Sequence, residues 1–170
     1  MNRDEFWRLI ESSRPRRDDA KAHVSALVKR LARFDVQQTV AFERHRAFVA
    51  KELDSEPLHT ALARLVNRPP TEDDLALFCD WLILLGQGAV ETAVEQPELL
   101  SKLRTDVLPN VRGSDLSGVG FAVLDGKDLT AADRLRWSGA LLQDFTGGGS
   151  RRAVLNQPPY PASNRRPPHR

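Results

Sequence analysis

The chain is poor in the residues on which several kinds of protein are built. Its one cysteine, Cys79, has no partner for an internal disulfide, which fits a reducing cytoplasm. No apolar run is longer than Trp81–Leu85, far short of the ~20 residues that span a bilayer. Met1–Trp7 carries Asp4 and Glu5 where a secretion signal needs an apolar stretch, so the expectation is a cytoplasmic protein with no membrane segment. Two isoleucines, 13 valines and seven threonines stand against 23 leucines and 18 alanines. Straight and γ-branched side chains lose little rotamer freedom in a helix, so this bias predicts an all-α protein.

Charge is present in quantity but unevenly placed. The chain has 25 basic and 23 acidic residues, a net of +2. Five arginines and no acid lie in residues 151–170, so residues 1–150 carry a net of −3. Within them, residues 1–34 hold nine basic side chains against five acidic, and residues 35–150 hold 11 against 18. The basic total therefore describes the ends of an acidic body, and it is weak support for nucleic-acid binding.

Periodicity and capping residues divide the chain into short helices. Asp4–Ser13 places Phe6, Leu9 and Ile10 on one face behind an Asn2 cap with Glu5 three residues on, and Pro15 stops it. A second helix opens at Asp18-Asp19 and repeats Val24, Leu27, Val28 and Leu31. Asp35 caps a third over 36–53. It gathers Ala41, Phe42, His45, Phe48, Val49 and Leu53 on one side and Val36, Val40 and Ala47 on another. A fourth, at 56–67, ends before Pro69-Pro70. Thr71-Glu72-Asp73-Asp74 then starts a helix apolar on nearly every face, expected to be the buried axis over about 71–86. Short helices follow near Ala89–Glu95 and from Pro97. Val119–Leu124 reads as an extended connection, and Thr130-Ala131-Ala132-Asp133 caps a last helix.

The expected architecture is a compact bundle of seven to eight short helices. Its divisions are a helical domain at 1–109, an irregular segment with a packed helix at 110–146, and a Pro/Arg-rich disordered tail at 147–170. Three blocks carry a resemblance: Asp4-Glu5-Phe6-Trp7-x-Leu9-Ile10-Glu11; Asp74-x-x-x-Phe78-x-x-Trp81-Leu82-Ile83-x-x-Gly86; and Glu91-x-Ala93-x-x-x-Pro97-Glu98-x-Leu100. With Phe42 between them, they resemble a bacterial family, domain of unknown function 4240, over residues 1 to about 104. The resemblance implies a helical fold and a bacterial cytoplasmic setting, and it supplies no chemistry. Val66-Asn67-Arg68-Pro69-Pro70 departs from the glycine-containing loop that the family usually has there.

No catalytic signature is present. Gly118-Val119-Gly120 lacks the strand and third glycine of a dinucleotide fingerprint, Gly147-Gly148-Gly149 lacks a phosphate-loop lysine, and no Gly-x-Ser-x-Gly elbow occurs. Asp73 and Asp74 read as helix-N-terminal acids, and Asp80 as a residue on an exposed flank. Candidate functional groups are Glu91, just past a glycine hinge, His45, set in an apolar face, and Asp74. His59 has no metal-ligand spacing to His45, and no metal or cofactor is expected. Core packing is the preferred reading of the tryptophans, with Trp7 and Trp137 falling beside their apolar stripes as a candidate half-exposed interaction surface. Arg16, Arg17, Arg151, Arg152, Arg165 and Arg166 form the candidate electrostatic surface, and Pro158-Pro159-Tyr160-Pro161 offers a polyproline ligand. Together these favour a non-enzymatic protein-interaction or regulatory module, monomeric or weakly oligomeric, with a protein partner. The alternatives are an enzyme or small-ligand binder using Glu91 and His45, and charge-driven nucleic-acid association through the basic tail.

Overall fold

A computed structural model describes residues 1–127 of the chain. Eight α-helices and two short 3-10 turns make up the described residues, with no strand among them. The expected helix from Thr130, Trp137 and the Pro/Arg-rich segment lie outside them.

Local signals set most helix ends. α1 (Arg3–Ser12) begins with a reciprocal capping box: the Glu5 N–H donates to Asn2 Oδ1 at 2.8 Å and the Asn2 N–H to Glu5 Oε2 at 2.7 Å. α2 (Ala20–Leu31) is capped by Asp19, and α3 (Val36–Leu53) by an Asp35–Gln38 box. α4 (Glu56–Val66) closes on Asn67 in the left-handed conformation, φ +55°, before the two prolines. α5 (Glu72–Leu84) starts at the Thr71–Asp74 box. Gly86, at φ +99° and ψ 176°, turns the chain into α6 (Gln87–Glu95), and this backbone region is essentially glycine's alone. The segment from Pro97 forms a 3-10 turn to Lys102 instead of an α-helix, and a second turn, Thr105–Val107, leads into α7 (Leu108–Arg112).

α5 is the axis that its sequence predicts. Phe78, Cys79, Asp80, Trp81, Leu82, Ile83 and Leu84 are buried in succession, so no face of this stretch meets solvent. Around it lie α1, α2, α3, α4, α6 and α7. Phe6, Phe42 and Phe78 are fully buried, and burial of such a side chain stabilises by roughly 1.5–3 kcal/mol. The Phe6 ring meets Phe42 at 5.3 Å and Trp7 edge-on at 4.9 Å. The second apolar side of α3 is also real: Val40 and Val36 pack with Leu124 apart from the main cluster.

Val119–Leu124 departs from expectation. It lies within α8 (Val119–Asp125), not in an extended connection. An isolated strand leaves its backbone groups without partners, whereas a helix satisfies them within the segment, as the Ala122 N–H does by donating to the Gly118 carbonyl at 2.8 Å. α8 packs across α2 and α3.

Candidate functional site

Asp74 is bound into the start of α5. Its Oδ2 accepts the Thr71 N–H at 2.8 Å, and Arg68 donates to both of its carboxylate oxygens, at 2.6 and 3.0 Å. The Arg68 guanidinium, then the Thr71 N–H, hold its carboxyl well below the usual carboxylate range. A carboxylate engaged in this way is a cap.

His45 and Glu91 are more open. The His45 ring is half-buried beside Phe6, with centroids 5.6 Å apart, and its Nε2 lies 3.3 Å from the Met1 carbonyl. Burial lowers its pKa, so it is neutral at pH 7, and a neutral ring that donates from Nε2 keeps Nδ1 as a free base. Glu91 is exposed and accepts from Gln87 Nε2 at 2.7 Å. Arg3 connects the two regions: it is an electrostatic neighbour of both His45 and Glu52, and Glu52 is in turn a neighbour of Glu91. Burial raises the Glu52 carboxyl despite Arg3, and Glu91 adds to the rise. His45 and Glu91 are thus related only through two intervening charged groups, Arg3 and Glu52.

A buried ion triad joins the helices elsewhere, and it is the largest departure from the sequence-based expectations. Asp80 is 1% exposed, not on an open flank, and Glu43 is 3% exposed. Arg46 spans them, donating from Nε to Glu43 Oε2 at 2.9 Å and from Nη1 to Asp80 Oδ1 at 3.2 Å. The other carboxylate oxygens take backbone donors: Leu116 N–H to Asp80 Oδ2 at 2.9 Å and Gly120 N–H to Glu43 Oε1 at 2.7 Å. Burial pushes both carboxyls up, Asp80 to about 6, against the lowering by Arg46. Two signals for this triad are present in the sequence: Glu43 continues the Val36–Val40 side of α3 at helical spacing, and Asp80 stands alone among apolar neighbours in an all-buried helix.

The remaining candidates separate by exposure. Trp7 is 3% exposed, inside the core and not half-exposed beside its stripe. Arg16 and Arg17 are exposed, while neighbouring Arg14 donates to the Leu85 carbonyl. His59 pairs with Asp54 at 2.6 Å. The Cys79 thiol is pushed up to about 12, first by burial and then by Asp80 and Asp54, so it is not a nucleophile at neutral pH. Arg151, Arg152, Arg165, Arg166 and Trp137 lie outside the described residues. An open groove of ≈ 420 Å³ runs between α4 and the Pro97 turn, lined by Glu56, Pro57, Thr60, Ala61, Arg64, Pro97 and Glu98. Among the described residues, no group of three or more His, Cys, Asp or Glu side chains could hold a metal ion, and no helix is long and apolar enough to cross a membrane.

A family model described as Protein of unknown function (DUF4240) matches residues 1–119. No curated protein and no solved structure matches the chain.

Proposed function

Since the chain belongs to the DUF4240 family, and membership brings no chemistry with it, we propose from the residues themselves that it is a non-enzymatic interaction or regulatory module with a protein partner. One observation carries this reading: four of the side chains suited to chemistry, Asp74, Asp80, Glu43 and Cys79, are taken up by the fold. Asp74 caps α5, Asp80 and Glu43 hold the Leu116 and Gly120 N–H groups, and Cys79 is a buried, protonated thiol. What the body offers outward is the groove beside α4, whose rim mixes Glu56, Arg64 and Glu98 around the small residues Thr60 and Ala61. A photocrosslinking residue placed at Thr60 in the native host tests this. The expected result is one discrete protein adduct that Arg64→Glu abolishes. No adduct, or the pattern given by an exposed control position such as Lys29, overturns the reading.

A small-ligand role has one specific observation in its favour. Arg3 lies within electrostatic reach of both His45 and Glu52, and Glu52 of Glu91, so the two candidates are linked through intervening charges. A ligand here shifts the His45 ring resonances in NMR, and a panel of amino acids and carboxylates that moves none of them removes this alternative. Charge-driven nucleic-acid association through the basic tail has no specific observation in its favour, because the tail lies outside the described residues.

A further inference from the structure

Residues 114–127 are fastened to the helical body by an unusual division of labour. At its centre the body supplies side-chain acceptors and the segment supplies main-chain donors. Asp80 takes the Leu116 N–H at 2.9 Å and Glu43 takes the Gly120 N–H at 2.7 Å, with Arg46 bonded to both carboxylates behind them. At the edges, Ser114 Oγ donates to the Leu77 carbonyl at 2.9 Å, and Lys127 Nζ to the Ala32 and Phe34 carbonyls at 3.1 and 2.8 Å. Between these ties Leu116, Val119, Val123 and Leu124 are buried, with Leu124 against Val40 and Val36.

Two physical consequences follow. A helix as short as Val119–Asp125 has no stability of its own, so it exists only while docked. The docking is also selective, since a Cβ on Gly120 would stand 2.4 Å from Glu43 Cγ and Oε1. Glu43 cannot move aside without giving up its bonds to Arg46 and Gly120. The channel formed by α2, α3 and Asp80 of α5 therefore reads two N–H groups four residues apart, one of them on a residue without a Cβ, and these features do not depend on which molecule supplies them.

We propose that this channel is an interaction surface whose partner is the same segment, residues 114–127, of a second copy of the chain. Gly113 and Gly118 flank the first tie and supply the backbone freedom to redirect the segment. Two copies that trade it form a closed, reciprocal pair with no new contact type. This surface is separate from the groove beside α4 and stands or falls independently of it.

Three measurements on the full chain test the proposal. Native-state hydrogen exchange on the unmodified protein is expected to show amides of 116–125 opening together, well before those of α5; simultaneous opening overturns it. Next, a fluorescein-labelled synthetic peptide spanning residues 113–127 is added to the Gly120→Ala chain, whose own segment no longer fits. Saturable binding is expected, weakened at least tenfold when the peptide itself carries Gly120→Ala; equal binding of the two peptides, or none, counts against the channel. Finally, sedimentation at the highest attainable concentration should show a wild-type dimer that Gly120→Ala abolishes. A wild-type protein that stays monomeric, or a variant that dimerises equally, overturns the exchange.

Discussion

The Asp80 carboxylate and the Leu116 backbone N–H meet at 2.9 Å across 36 residues of chain, with no solvent on either side. Removal of the carboxylate strands two donors at once, this buried N–H and the part-buried Arg46 Nη1. Asp80→Ala is therefore expected to destabilise the protein by about 3–5 kcal/mol. Asp80→Asn keeps one carbonyl acceptor and should cost less. Urea unfolding midpoints give both values, and an Ala variant within ~0.5 kcal/mol of wild type contradicts the triad's structural role.

The same group fixes a pH dependence. Its carboxyl is raised from 3.8 to about 6, so the folded state holds the proton more tightly than the unfolded chain. The contribution is thus fully present below pH 3.8 and is lost as pH rises through about 6. At 1.36 kcal/mol per pKa unit it is worth about 3 kcal/mol. Glu43 is shifted in the same direction by burial, while Asp74, shifted the other way by Arg68, loses its contribution as pH falls. Comparison of wild type with Asp80→Asn between pH 5 and 7 isolates the first effect: wild type should lose stability with rising pH relative to the variant. The reverse slope refutes it.

Gly86→Ala addresses the turn between α5 and α6. At φ +99° an L side chain is strained, and its Cβ would also press on Arg14 Nη2 at 3.3 Å. A loss of roughly 1–3 kcal/mol is expected. Asn67→Gly, at a left-handed helix end where glycine is favoured, should be neutral or slightly stabilising. Thermal melts of the two variants should move in different directions or at least by clearly different amounts.

Cys79 should be silent to thiol reagents in the folded protein at pH 8, since its thiol is buried and pushed up to about 12. Labelling is expected to track global unfolding in denaturant. Fast labelling in native buffer would place the thiol elsewhere.

Helix boundaries were legible wherever a capping side chain acts within three residues. Asn2 with Glu5, Asp35 and Thr71 with Asp74 all sit where their residue types imply, and the all-apolar run after Thr71 identifies the central helix. Long-range pairing of polar groups was not legible. An angle measured from Leu75 puts Asp80 on a flank of its own helix, but a helix enclosed on every side has no outer flank, and a partner as distant in sequence as Arg46 leaves no local trace. α8 was hidden for a related reason: glycines at 118 and 120 lower helix propensity, and the compensation comes from Glu43, 77 residues away from Gly120. For the candidate site, the residue types of His45 and Glu91 are readable in the sequence, whereas the charge link between them runs through Arg3 of another helix.

α5 touches six other helices and is enclosed along seven successive residues. Damage to it has no local form, because every neighbour loses a wall together. Substitutions at Phe78, Leu82 or Ile83 should consequently register in the cell as lowered protein abundance through quality-control proteolysis, before any specific defect in activity or association becomes measurable.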